Sequence, residues 1–405
     1  MLMPHTHGQI ILPRRALGKP VLSHRFSRDI MRLPKILSRC RFLTVALLLG
    51  LGLALTGCQT VSYYAQAVRG HCLVLGSRQA CEKLIADPET PTELKAQLRV
   101  TREICEFAKL ELKLPVNGHY QQYADVGRRF VVWNVTASPE FSLESKTWWY
   151  PVVGSLDYRG YFAEEGARKY ADRISQKGFD TYVEGVEAYS TLGWFKDPLL
   201  NTFIHHPEAA LAEILFHELA HQRVFASGDT DFNEAFATAV GQEGARRWLS
   251  TRGDAAILGD YLAALQRNVQ FVQLVADARK KLEVLYGDEL FPDGKIKAAK
   301  KPREISVEQL RHEKQRIQGE LRRDYEKLKN EWGGYAGYDD WFASGLNNAQ
   351  LNSVATYYDF VPAFERLLVA NNGDLEKFYI SVKKLARLSK TERHRRLQAD
   401  ATTVD

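Results

Sequence analysis

The sequence predicts an α+β fold, mostly helical, with one small antiparallel or mixed sheet and additional C-terminal helices. Three observations predict it. Alternating aromatic and β-branched residues are confined to 128–189, whereas helical periodicity fills most of 61–112 and nearly everything after 206. Of the 405 residues, 45% are hydrophobic, enough for a large core and too many for a disordered chain.

The first 57 residues read as a leader, followed by one folded domain over 58–405. The leader holds nine Arg or Lys and one Asp, so the formal net charge of +6 becomes −2 for the remainder. The basic character therefore belongs to the leader, and no nucleic-acid-binding face is implied for the rest. Arg32, Lys35, Arg39 and Arg41 precede an apolar run over 42–55, short for a bilayer span and suited to a signal-peptide core. The run ends Leu55-Thr56-Gly57-Cys58, which resembles a bacterial lipobox. That resemblance implies cleavage before Cys58, lipid on its thiol and attachment to a membrane. Gln59 follows where aspartate would mark inner-membrane retention, which implies the periplasmic face of the outer membrane. The competing reading is a signal anchor with an incidental cysteine. Cys72, Cys81 and Cys105 remain, and two of them can pair in an oxidising compartment.

Along the mature chain, helices are expected over 61–112, punctuated by Pro88, Pro91 and Pro115. A strand is expected over 128–136, where Phe130-Val131-Val132-Trp133-Asn134-Val135 stands, and another over 147–153 with a hairpin partner near 158–162. A helix over 164–177 separates these from a strand over 181–189. Amphipathic stretches over 261–285 and 307–332 should pack as a hairpin, joined by an exposed lysine- and proline-rich loop over 291–305. Asn347-Asn348 and Tyr357-Tyr358-Asp359 precede a further helix over 364–369, and the basic segment 383–396 reads as a surface helix end.

One stretch carries chemistry. His217-Glu218-Leu219-Ala220-His221 lies in a run of helix formers that starts at His206-Pro207-Glu208 and continues to about Phe225. Residues four apart on a helix differ by about 400°, so both imidazoles leave nearly one face. A zinc ion takes such a pincer, and the intervening glutamate can take a proton from an activated water. Ser227-Gly228-Asp229 breaks the helix, and a second starts near Asp231 and runs to about Leu249. Glu234 falls on its first turn, where a short loop would return it to the histidines. Two histidines and one glutamate leave a fourth position for water, as in catalytic sites. The competing reading makes Asp231-x-x-Glu234 a capping pair and the histidines ordinary helix residues. His312-Glu313 is no second motif, because Arg316 stands where the second histidine is needed.

The segments 216–222, Gly228-Asp229-Thr230 and Phe232-Asn233-Glu234-Ala235-Phe236-Ala237 resemble a family of predicted bacterial zinc aminopeptidases. So do Tyr63-Tyr64-Ala65-Gln66-Ala67, Tyr189-Ser190-Thr191-Leu192-Gly193-Trp194-Phe195, Asp197-Pro198 and Asn347-Asn348-Ala349. The resemblance implies a gluzincin-type metallopeptidase on a zincin-like core, with Zn2+ held by His217, His221 and Glu234 and with Glu218 as the base. In such a core an edge strand above the metal binds extended peptide, which would put Tyr189, Gly193 and Trp194 beside the substrate. The chain also departs from better-known gluzincins. Only 12 residues separate His221 from Glu234, Ala235 stands in place of glycine, and Thr238 stands where an aspartate would orient a ligand histidine. Asn233, Asp229 and Asp231 are the candidates for that orienting role. Tyr357 and Tyr358 are candidate donors to the oxyanion. Glu184 and Glu187 are candidate anchors for the free α-ammonium of a peptide. The readings that follow are an aminopeptidase on periplasmic peptides, an endopeptidase or oligopeptidase on the same scaffold, and a non-catalytic lipoprotein that kept the fold.

Overall fold

The structure is a computed structural model that describes residues 57–150, 154–188, 195–290, 296–297 and 305–402. Helix α1 (Gly57–Gly76) is followed by β1 (Arg78–Ala80), α2 (Cys81–Ala86), α3 (Thr92–Leu110) and β2 (Gln122–Ala124). Strands β3 (Val132–Pro139), β4 (Trp148–Tyr150), β5 (Gly154–Leu156) and β6 (Arg159–Tyr161) then lead into α4 (Glu164–Ser175), β7 (Phe179–Val186) and β8 (Leu199–Leu200). Next come α5 (Glu208–Arg223), α6 (Thr230–Arg252), α7 (Ala255–Tyr286), β9 (Glu289–Leu290), β10 (Ile296–Lys297) and α8 (Val307–Glu331). The chain closes with α9 (Asp339–Ala343), α10 (Asn348–Tyr358), α11 (Val361–Ala370), α12 (Leu375–Ala386) and α13 (Lys390–Thr402). The fold is α+β and mostly helical, as composition and pattern predict.

The strands form small separate sheets. In the largest, β3 lies between β6 and β7 and is antiparallel to both, so that Trp133 faces Tyr161 on one side and Gly185 on the other. This corrects the expected hairpin: β4 pairs with β5, and segment 159–161 joins β3 instead. The reason is packing. Paired with β3, Tyr161 stands opposite Trp133 and buries its ring with Trp133 and Tyr170 in one cluster. Strands β1, β2 and β8, of two or three residues each, form another sheet that no alternation could announce. The hairpin of α7 and α8 is as expected, with Leu282, Tyr286, Leu310, Ile317 and Leu321 in its seam. The joining loop lies mostly outside the described residues, where only the β9–β10 pair is seen.

Three further differences are physical. Helix α10 was not foreseen; it starts where the Asn347 side chain accepts from the Gln350 amide. Buried Asn348 then donates to the carbonyls of Pro139, Glu140 and Ser142 and accepts from the Tyr286 hydroxyl, fastening the end of β3 to α7. The segment 383–396 spans the end of α12 and the start of α13 and is only partly surface: Lys383, Lys384, Arg387, Arg395 and Arg396 are exposed, whereas Arg393 and His394 are buried. Cys72, Cys81 and Cys105 are all free thiols; burial pushes Cys81 up to about 11 and Cys105 up to about 12.

Helices α5 and α6 form the centre of the main core. Eleven of the 16 residues of α5 are buried, so the helix has almost no solvent face. Two glycines of α6 let the pair approach closely. A Cβ on Gly241 would lie 2.9 Å from the Glu213 carbonyl and 3.3 Å from the Cβ of His217. One on Gly244 would lie 2.6 Å from Phe216 Cδ2. Gly241→Ala should therefore push α6 off α5 at the level of His217 and cost about 1–3 kcal/mol, as overpacking does. Denaturant unfolding checks this, and an unchanged midpoint would show that the approach is not tight.

Candidate metal centre

The loop between α5 and α6 decides where Glu234 points. Helix α5 stops at Val224, whose backbone is extended, and Gly228 turns with φ of 75°. Asn233 then clamps the loop from inside: its Oδ1 accepts from the Ala226 amide at 2.8 Å and its Nδ2 donates to the Ala226 carbonyl at 2.8 Å. Asp229 caps α6 by accepting from the Phe232 amide. These bonds fold the first turn of α6 back onto α5.

Glu234 is thereby brought against both imidazoles. Its Oε2 lies 3.3 Å from His217 Nε2 and 3.6 Å from His221 Nε2, and the two Nε2 atoms are 3.1 Å apart. All three side chains are buried. If both imidazoles donate to Glu234, their two N–H groups face each other across the 3.1 Å edge, because a neutral imidazole nitrogen either donates or accepts. A cation at the centre would meet all three lone pairs together. For a tetrahedral zinc ion with bonds of about 2.0–2.1 Å, ligand atoms lie about 3.3–3.4 Å apart. The three edges fit that spacing, so the donor set and its size suit zinc. The capping alternative is not what the structure shows, since Asp229 is the N-cap and the Glu234 carboxylate faces the histidines.

Glu218 is buried beside this triad. Burial pushes its carboxyl well above the ordinary range, and the nearby charges of Glu234 and Asp197 push it the same way. Sequence reasoning passed over the segment that surrounds it. Asp197 and His119 are both buried; the Asp197 amide donates to His119 Nδ1 at 3.0 Å, and the same Nδ1 lies 3.3 Å from the Gln222 amide nitrogen. Tyr120 adopts φ of 61°, a left-handed conformation uncommon for an aromatic residue, and its amide donates to the Asp197 carbonyl at 2.8 Å. Its phenol is pushed up by burial and then by the charges of Glu218 and Asp197. The Asp197-Pro198 pair was the one available signal for this cluster; His119 and Tyr120 lie far upstream in no recognisable spacing.

The other candidate residues are distributed unevenly. None of the three proposed orienting groups is given to the imidazoles. Asn233 is spent on Ala226. Asp229 is gripped by the Arg393 guanidinium and by His394 Nε2 at 2.9 Å, and Asp231 lies 3.6 Å from Lys390. Among the described residues, His221 Nδ1 has no hydrogen-bond partner. Asp229, Asp231 and His394 could by composition hold a second metal ion, but Arg393 and Lys390 already supply the positive charge there. Glu187 lies 2.7 Å from His206 Nε2, and Glu184 stands in β7 opposite Asn134. Tyr358 packs between the main core and the α7–α8 cluster, with its hydroxyl on Asn268. Tyr189, Gly193, Trp194 and the side chains of Tyr357 and Cys58 lie outside the described residues.

Residues 62–397 match the model of a family described as "Putative aminopeptidase". The chain belongs to that aminopeptidase family. The match starts in α1 and ends in α13, so this aminopeptidase family takes in every element that builds the site. No curated protein and no solved structure matches the chain.

The grip on Asp229 generates a test. Both Asp229 and Arg393 are almost fully buried, and breaking such a pair from one side leaves a charge without compensation. Arg393→Ala should cost about 3–5 kcal/mol in urea unfolding. A midpoint equal to that of the unaltered protein would mean that His394 and Lys390 suffice.

Proposed function

We propose that this aminopeptidase-family chain is a gluzincin-type, zinc-dependent aminopeptidase, tethered by lipid on Cys58 to the periplasmic face of a bacterial outer membrane. The observation that carries the catalytic part is the convergence of His217 Nε2, His221 Nε2 and Glu234 Oε2 within 3.6 Å of one another. Support for a zincin-like core comes from β7, an edge strand of its sheet that precedes the histidine helix, the position from which such strands pair with extended peptide.

Zinc bound by this triad would supply Lewis-acid polarisation of the scissile carbonyl and a water of lowered pKa. The protein's own groups do the rest. Glu218 takes a proton on its carboxylate from the attacking water and delivers it to the departing amine. Its burial keeps bulk water from competing for that proton. Tyr357 and Tyr358, the latter with its hydroxyl on Asn268, are the candidate phenolic donors for the oxyanion, and buried Tyr120, close enough to Glu218 to feel its charge, is a third. Glu184 of β7 and Glu187, which lies 2.7 Å from His206 Nε2, are the candidate carboxylates for a peptide's α-ammonium.

Incubation of the protein with a peptide mixture, with and without a chelator, tests this reading by mass spectrometry. Stepwise loss of N-terminal residues that the chelator abolishes is expected. Internal cuts without N-terminal trimming would make it an endopeptidase, and cleavage indifferent to the chelator would sink the metal assignment. Glu218→Gln should keep the metal while turnover falls on the order of 10²–10⁴-fold; a metal-loaded variant with full activity would remove the base from the account.

A further inference from the structure

Helix α1 has two apolar faces, and the core needs only one. Tyr63, Ala67, Gly70, His71 and Val74 are buried at helical spacing. Gly70 sits so close to Phe162 that a Cβ there would lie 2.1 Å from the ring. Another side carries Val61, Tyr64, Val68 and Cys72, which recur at three- and four-residue spacing and are all exposed; Ser62, Ala65 and Arg69 flank this stripe, and Leu73, 63% exposed, lies about 100° round the helix from Cys72. A helix face turned to water ordinarily carries charge. This helix has Arg69 and no acidic residue.

We propose that the exposed face of α1 docks onto a lipid bilayer, the one entered by the acyl chain on Cys58. The inference rests on the lipid-anchor part of the proposed function and adds what the folded domain does once tethered. Three observations choose the occupant. The helix begins at Gly57–Cys58, so the stripe starts one turn from the attachment point and would lie against the membrane wherever the anchor is inserted. The Tyr63 hydroxyl lies 3.4 Å from that of Tyr150, which puts β4 beside the first half of α1, and Trp149 of that strand is 70% exposed. Tryptophan favours the headgroup region, where its ring is half in hydrocarbon and its N–H in water. The absence of acidic residues on α1 removes the repulsion that anionic headgroups would otherwise exert.

Cys72 provides the readout, because its exposed thiol lies on the stripe while Cys81 is buried and Cys105 half-buried. The acylated protein is purified from membranes, reconstituted in vesicles of phosphatidylethanolamine and phosphatidylglycerol, and treated with a water-soluble maleimide. The double variant Val61→Asp, Val68→Asp, checked for an unchanged melting temperature, is treated on the same vesicles. Alkylation of Cys72 should be at least about tenfold slower in the unaltered protein than in the variant, since a buried apolar face shields the thiol. The variant Val61→Leu, Val68→Leu should stay protected. Equal rates in the unaltered protein and the aspartate variant, with both acylated and vesicle-bound, would overturn the docking while leaving the anchor intact. Protection in native membranes but not in protein-free vesicles would overturn it in favour of a protein partner. The mass of the Cys58 peptide reads the anchor separately; without added lipid, the anchor and the docking fall together, and the peptidase reading is untouched.

Discussion

The contact between α5 and α6 is the constraint on which the rest of the structure depends. Three candidate ligand atoms meet within 3.6 Å, yet they leave two different helices joined by a loop of six residues, 224–229. Side chains of ordinary bulk at positions 241 and 244 would hold the helix axes apart, and the Glu234 carboxylate would then fall short of the imidazoles. Glycine at both positions permits the approach, and the nearly total burial of α5 removes the alternative of turning the histidines to water. Burying two imidazoles and two carboxylates together is costly unless a positive charge compensates them. The site's composition is therefore itself an argument for a cation.

Much of the remaining chain works to keep that contact in place. Asn233, the neighbour of Glu234, holds the connecting loop by both polar atoms of its amide. Asp229 caps α6 and is clasped by Arg393 and His394 of α13, so the last helix of the chain secures the first turn of the helix that carries Glu234. On the opposite flank, His119 and Tyr120 are tied to Asp197, and Gln222 of α5 reaches the same imidazole. A site assembled this way draws its rigidity from segments spread over the whole chain. That agrees with a family match running from α1 to α13.

The helices were legible in the sequence because their signals are local. His217 and His221 share a helix, proline and glycine mark its surroundings, and Glu234 follows close enough in the chain for its return to be inferred. The α7–α8 hairpin was legible for a similar reason, since long amphipathic patterns need no tertiary information. What could not be read depended on partners far away in sequence. Arg393 and His394 look like surface charge until Asp229 is seen between them. Asp229 and Asn233 look like supports for a histidine until the loop claims them. Segment 159–161 was assigned to the nearer strand, whereas ring packing with Trp133 and Tyr170 fixed it to β3. The left-handed backbone at Tyr120 has no sequence signature at all, because aromatic residues seldom adopt it.

X-ray absorption at the zinc edge, on protein purified without added metal, tests the central claim most directly. The account predicts about one zinc per chain, bound by two imidazole nitrogens and by carboxylate and water oxygens at about 2.0–2.2 Å. Sulfur in the first shell, or a chain that retains no stoichiometric metal, would contradict it.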